Sequence, residues 1–249
     1  MSNTYSTSEI AKLIGIHPNT VRLYEELELI PIPRRKPNGY RIFEDIHLEQ
    51  FRLARTALQV EVLQNGLRKR AMEIVKVSAA GDFDQAIKLA EQYLRQIQYE
   101  ITNAEEAIRI TEQILRGSEQ SGISIRLSRK QTADYLQISI DALRNWEMNG
   151  LLKIKRKQNG YRIYTDEDLK TLKIIRSLRC ANYSLSAILR MLNTLSDDPG
   201  ANIRVVIDSP DTEEDIISAC DKLLTSLSNA AQNASKMLSR LHSMKNIFS

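Results

Sequence analysis

Cysteine is scarce in this 249-residue chain, which holds only Cys180 and Cys220. Both fall in apolar stretches with helical spacing. They therefore read as reduced core residues and not as a disulfide or a metal pair. Glycine (9 residues) and proline (6) are also few, so long uninterrupted helices are expected. No apolar run approaches the roughly 20 residues that span a bilayer, and the N-terminus has no signal-peptide hydrophobic region. A cytoplasmic protein without membrane contact is the expectation. The histidines, His17, His47 and His242, are scattered and fit surface roles. The sequence shows no Gly-rich phosphate loop, no His/Cys cluster at ligand spacing and no nucleophile motif. Neither catalysis nor a metal or cofactor is expected.

What is present suits a soluble globular protein of about two domains: 42% of residues are hydrophobic and 27% charged. The net charge of +4 is unevenly placed. Residues 123–195 hold fourteen Lys/Arg against six Asp/Glu, a net of +8, whereas residues 196–249 hold five against eight. A basic half points to a polyanionic partner, although a solvated basic face would look the same.

The chain repeats itself. Asn38-Gly39-Tyr40-Arg41-Ile42-Phe43 returns as Asn159-Gly160-Tyr161-Arg162-Ile163-Tyr164. An Asn-Gly pair between alternating apolar and basic residues reads as a tight hairpin turn, because both residues accept positive φ. Arg34, Arg35 and Lys36 lead into the first hairpin; Lys153, Lys155, Arg156 and Lys157 lead into the second. A cationic ribbon can lie along a phosphate backbone. Upstream, Ser6-Thr7-Ser8-Glu9 and Ser128-Arg129-Lys130-Gln131 are capping boxes, each opening a short helix. Turns follow, then helices predicted over 20–27 and 142–149. Two short helices across a tight turn form a helix-turn-helix, whose second helix enters the major groove. The copies align at an offset of 122, pairing Arg22 with Arg144 and Glu25 with Glu147. The offset falls to 121 at the hairpin, where the first copy holds one extra residue. A third helix follows each hairpin, capped by Glu44-Asp45 and by Thr165-Asp166-Glu167-Asp168. A fourth begins at Tyr183-Ser184-Leu185-Ser186, and residues 60–77 carry a helical pattern in the first copy.

Arg22-Leu23-Tyr24-Glu25, Leu29-Ile30 and Gly39-Tyr40-Arg41-Ile42-Phe43 together resemble the MerR family of winged-helix transcription regulators. So do Arg144-Asn145-Trp146-Glu147, Gly150-Leu151-Leu152, Gly160-Tyr161-Arg162-Ile163-Tyr164 and the phrase Ala181-Asn182-Tyr183-Ser184-Leu185. The resemblance covers residues 4–58 and 126–195. Leu23 and Asn145 depart from it, since the family usually carries two adjacent aromatics after the helix arginine.

Two further segments carry heptad seams. One runs Phe83, Ile87, Ala90, Leu94, Ile97, Ile101, Ala104, Ile108, Thr111 and Leu115. The other runs Ile216, Cys220, Leu223, Leu227, Ala230, Ala234, Met237, Leu241, Met244 and Phe248. Each implies a helix roughly 50 Å long at 1.5 Å per residue. The expected fold is mostly α: two winged helix-turn-helix domains with small β-hairpin wings, each followed by a long coiled-coil helix. Residues 1–81 would form the first domain, 82–117 its long helix and 118–125 a linker. Residues 126–195 would form the second domain, 196–212 a connecting segment and 213–249 the C-terminal helix.

MerR-like proteins usually dimerise through an antiparallel pair of such helices. With two heads and two long helices in one chain, an intramolecular pseudo-dimer is expected. A homodimer with four heads is the alternative. The resemblance implies double-stranded DNA as partner and RNA polymerase at a promoter that the protein distorts. An architectural DNA-binding protein is the alternative function. The family's metal sensors place cysteines near the start of the long helix and in a loop after it, which Cys180 and Cys220 do not match.

The resemblance also names the DNA-facing residues. On the first recognition helix these are Asn19, Thr20, Arg22 and Tyr24; on the second, Ser139, Asp141, Arg144 and Trp146. Wing candidates for phosphate contact are Arg34, Arg35, Tyr40, Arg41, Arg156, Lys157, Tyr161 and Arg162. Tyr24 and Trp146 suit core packing equally well, and Glu25 and Glu147 suit internal salt bridges.

Overall fold

The computed structural model describes residues 3–59, 66–117, 126–152, 154, 162–210 and 219–249. The chain divides into two compact units, one of Met1–Tyr99 with Ser226–Ser249 and one of Glu100–Thr225.

The first unit opens with strand β1 (Thr4–Tyr5), then helices α1 (Thr7–Ile14) and α2 (Pro18–Glu26). The Ser6/Glu9 capping box is formed in both directions. Helix α2 starts two residues before the predicted boundary. His17 acts as its N-cap, accepting from the Asn19 amide at 3.2 Å, and Pro18 occupies the first turn, where its missing N–H costs nothing. Strands β2 (Arg34–Arg35) and β3 (Arg41–Glu44) form the wing. Strand β3 is central in the order β1-β3-β2, with Tyr5 opposite Phe43 and Arg35 opposite Arg41.

The turn differs from the two-residue form that Asn-Gly suggests. Gly39 has φ +84°, while Asn38 is not among the residues with positive φ. The Lys36 amide donates to the Tyr40 carbonyl, and the Gly39 amide donates to the Lys36 carbonyl. Pro37, Asn38 and Gly39 therefore make a three-residue loop. Proline pre-sets the φ of its first position, and only the last residue is left-handed.

Helix α3 (Asp45–Leu58) follows, then α4 (Leu67–Ala79) and the long α5 (Phe83–Arg116). The core gathers Ile10, Val21, Leu29, Phe43, Phe51, Leu53 and Val75, all at most 2% exposed. Gln50 is fully buried among them and fully used. Its amide donates to the carbonyls of Leu29 (3.1 Å) and Val75 (2.8 Å) and accepts from the Ser78 hydroxyl (2.8 Å). His47 corrects the surface expectation, because it is only 5% exposed. Its Nδ1 accepts the Glu44 amide at 3.0 Å, closing the cap of α3, and its ring meets Phe43 edge-on.

The second unit repeats the plan with α6 (Arg129–Leu136) and α7 (Ile140–Met148), capped by Ser128 and Ser139. Helix α7 also starts two residues before its predicted boundary, because Ser139 takes the cap position. A bridge between Leu127 and Tyr164 stands where Tyr5 meets Phe43 in the first copy. The second hairpin turn lies outside the described residues. Helices α8 (Asp166–Cys180) and α9 (Leu185–Asp197) follow. The connecting segment contains a short helix, α10 (Ile203–Ile207), that no apolar period announced. Cys180 is exposed, contrary to its predicted core place, while Cys220 is buried.

The last helix, α11, runs Leu223–Phe248, so it starts ten residues after the predicted 213 and is roughly 39 Å long. Asp208 explains the late start. Its carboxylate accepts the amides of Leu224 (2.8 Å) and Thr225 (3.1 Å) and the Thr225 hydroxyl (2.6 Å). An N-cap supplied from a distant segment satisfies the first-turn donors there. Cys220 lies in the preceding turn and not inside the seam, and Ile216 lies outside the described residues. In α5 the seam is buried at Phe83, Ile87, Ala90, Ile97, Ala104, Ile108 and Thr111. Leu94, Ile101 and Leu115 are only half-buried, and Tyr93 takes the fully covered position beside Leu94.

Candidate nucleic-acid interface

The recognition helices are held by one anchor each. In the first copy Glu25 projects from α2 to the wing, where it meets Arg35 (3.1 Å) and Arg41. In the second, Glu147 projects from α7 and meets Arg129 (2.7 Å), Arg162 (2.9 Å) and the Tyr164 hydroxyl. The Glu147 side chain is only 6% exposed, so these partners offset its desolvation. Burial, followed by the bond to Glu147, pushes the Tyr164 hydroxyl up to about 12, and it stays a donor at neutral pH. Helix and wing are thereby fixed in mutual register.

Arg22 is exposed on α2, with Nη1 3.3 Å from Asn19 Oδ1. Arg144 is exposed at the equivalent place on α7 and has no ion pair among the described residues. A guanidinium so placed offers bidentate donors to a phosphate or a guanine edge. In the first copy Arg22, Tyr40 and Arg41 share an open groove of about 780 Å³ with Ser6, Ser8 and Lys36. The Lys36 ammonium and the Arg22 guanidinium make this groove attractive to an anion, while Glu9, which takes the Ser6 amide and hydroxyl, sets one carboxylate at the start of α1. Ser8 and Lys36 were absent from the sequence candidates; the capping phrase beside a basic strand is the signal that marks them.

The remaining candidates separate. Asn19, Arg34, Arg35, Ser139 and Asp141 are exposed, and Thr20 is half-exposed. Arg34 pairs with Glu44. Tyr24 and Trp146 are 4% and 6% exposed and belong to the core, with Tyr24 stacked on Phe51 at 5.3 Å. Burial raises the Tyr24 hydroxyl above its usual value. Arg41 and Arg162 serve the glutamate anchors, so a phosphate contact by either would be shared with that role. Arg156, Lys157 and Tyr161 lie outside the described residues. Among the described residues no group of three or more His, Cys, Asp or Glu could hold a metal ion. No helix of the described residues is long and apolar enough to cross a membrane.

Two stretches match models of one family. Residues 6–43 match the MerR family regulatory protein model, and residues 127–195 match the MerR HTH family regulatory protein model. Among curated proteins, the HTH-type transcriptional regulator CueR of Escherichia coli O6:H1 is 42% identical over 53 residues, 21% of this chain and 39% of that one. CueR of Yersinia pestis is also 42% identical over 53 residues, 21% of this chain and 38% of that one. An uncharacterized HTH-type transcriptional regulator of Synechocystis is 33% identical over 45 residues, 18% of this chain and 33% of that one. The chain thus spans about two fifths of the length of the first of these relatives. No solved structure gives a significant match. The chain carries two MerR-type domains, one in each repeat.

Proposed function

We propose that this chain is a sequence-specific, double-stranded-DNA-binding regulator of transcription that supplies both heads of a MerR-type dimer from one polypeptide. The observation that carries the reading is the repeated site: Arg22 and Arg144 stand exposed at equivalent places on helices anchored by Glu25 and Glu147. Residues 1–81 and 126–195 serve as heads and 82–117 as the first long helix; the second long helix is shortened to its observed start at Leu223. Residues 118–125 and 196–212 connect them. Contacts in the first unit support an intramolecular pairing. Lys245 near the end of α11 pairs with Asp84 at the start of α5, and Arg240 pairs with Glu49 of α3. The bound promoter is distorted at a cost of a few kcal/mol, offset by added contacts, and presented to RNA polymerase.

The recognition helices differ: His17, Asn19 and Thr20 stand where the second copy has Ser139, Asp141 and Ala142. The preferred operator is therefore asymmetric. Operator selection from a random DNA pool, followed by fluorescence anisotropy on the selected and symmetrised sites, tests this. The symmetrised sites should bind about tenfold more weakly, since one good base contact discriminates by about 1–3 kcal/mol. Equal affinity for a perfect palindrome would sink the asymmetric reading. No preference over bulk DNA would replace it with an architectural role.

A further inference from the structure

A stripe of polar side chains runs along α11 beside its apolar seam. Ser226, Asn229, Asn233 and Lys236 follow one another at steps of three, four and three, so they share one face. With Gln232 and with Gln59 at the C-cap of α3, they line a cavity of about 330 Å³ within the first unit. Gln59, Asn229, Gln232 and Lys236 are exposed, as in a solvated stripe, but two members of the stripe are not. Ser226 is 3% exposed and Asn233 9% exposed. The Ser226 Oγ is buried without a hydrogen-bond partner. A buried hydroxyl left unpaired is costly, and an apolar residue would cover the same surface without that cost.

The lining defines what would satisfy it. Four carboxamides and one hydroxyl offer donors and acceptors together, Lys236 offers one positive charge, and no carboxylate is present among the described lining residues. A neutral apolar ligand would leave the buried Ser226 and Asn233 groups unpaired and strip water from the others, and a cation would face the ammonium. We propose that the cavity binds a small hydroxylated anion of monosaccharide size, carrying one carboxylate or phosphate. The anionic group sits at Lys236, and the hydroxyls meet Ser226, Asn233 and the flanking amides. The site joins a helix of the first head to α11, so its occupancy bears on how that head is mounted. The proposal goes beyond DNA binding and does not depend on it.

Isothermal titration of the full chain without DNA tests the proposal, with gluconate, glucose 6-phosphate, glucose and inorganic phosphate as probes. One of the two hydroxylated anions should bind saturably, at least tenfold more tightly than glucose or inorganic phosphate. Which of them binds decides between carboxylate and phosphate. Lys236→Met and Asn233→Leu should each weaken that binding at least tenfold, with circular dichroism and Tm showing an intact fold. Absence of binding by all four probes at millimolar concentration overturns the proposal. So does binding that survives in both variants. If light scattering finds a dimer that Lys236→Met splits into monomers, the stripe faces a second copy and the ligand reading fails.

Discussion

Glu147 shows how much one side chain can organise. Its carboxylate, nearly enclosed, holds two arginines and a tyrosine hydroxyl from two separate segments, α6 and the stretch before α8. Glu147→Ala removes the shared partner, leaving half-buried guanidinium groups without a carboxylate and the Tyr164 hydroxyl without its acceptor. Urea denaturation should show a loss of about 2–4 kcal/mol, above the usual effect of a surface ion pair. A loss under about 1 kcal/mol would mean that water replaces the carboxylate readily. His47 makes a second prediction at this scale. Burial holds its pKa below the usual value, despite opposition from Glu44, and its Nδ1 must stay unprotonated to accept the Glu44 amide. At pH 7.5 the ring is neutral in both folded and unfolded chains. As pH falls through about 6.5, the unfolded chain takes up a proton that folded His47 resists, so stability declines toward the lower folded pKa. His47→Gln keeps an acceptor without a titrating ring. Between pH 7.5 and 5.5 the variant should lose less stability than the parent, and parallel losses would refute the assignment.

At the scale of elements, the two repeats solve the same backbone problem in reverse. The turn between the helices needs a left-handed residue, supplied by Gly15 (φ +71°) in the first copy and by Gln137 (φ +52°) in the second. The turn after the recognition helix needs another, supplied by Glu28 (φ +59°) and Gly150 (φ +79°). At these two turns each copy therefore carries one residue with a Cβ at a position suited to glycine. The conformation costs such a residue about 1–2 kcal/mol, partly offset because glycine loses more chain entropy on folding. Gln137→Gly and Glu28→Gly should each stabilise their copy by about 0.5–1 kcal/mol in thermal melts. Destabilisation by either would show that the long side chain makes contacts worth more than the strain.

At the scale of the molecule, the reading turns on whether one chain satisfies both seams. Light scattering over a range of concentrations should give a mass near 28.5 kDa, the mass of a single chain. A dimer would mean that at least one seam pairs between chains and that four heads are presented. The ion pairs Lys245–Asp84 and Arg240–Glu49 lie on half-exposed surface, so they orient α11 more than they hold it. The buried Met237, Leu241 and Met244 supply the adhesion there.

Local chemistry made much of this protein legible in its residues. Capping boxes, the repeat offset, the seam of α5 and the glutamate anchors depend on near neighbours or on residues that occur twice, and both leave a periodic trace. The matching places of Arg22 and Arg144 on α2 and α7 were legible for the same reason. Tertiary structure alone decided where distant segments meet. Asp208 caps α11 from outside the helix, so no periodicity could locate that start. His47 and Gln50 are polar yet buried, because their partners come from a strand end, a loop and α4. Tyr24 and Trp146 lie on α2 and α7 but face inward, since a helix packed on its domain must bury one side. The hairpin loop turned on Pro37, whose fixed φ set the turn before the Asn-Gly pair could.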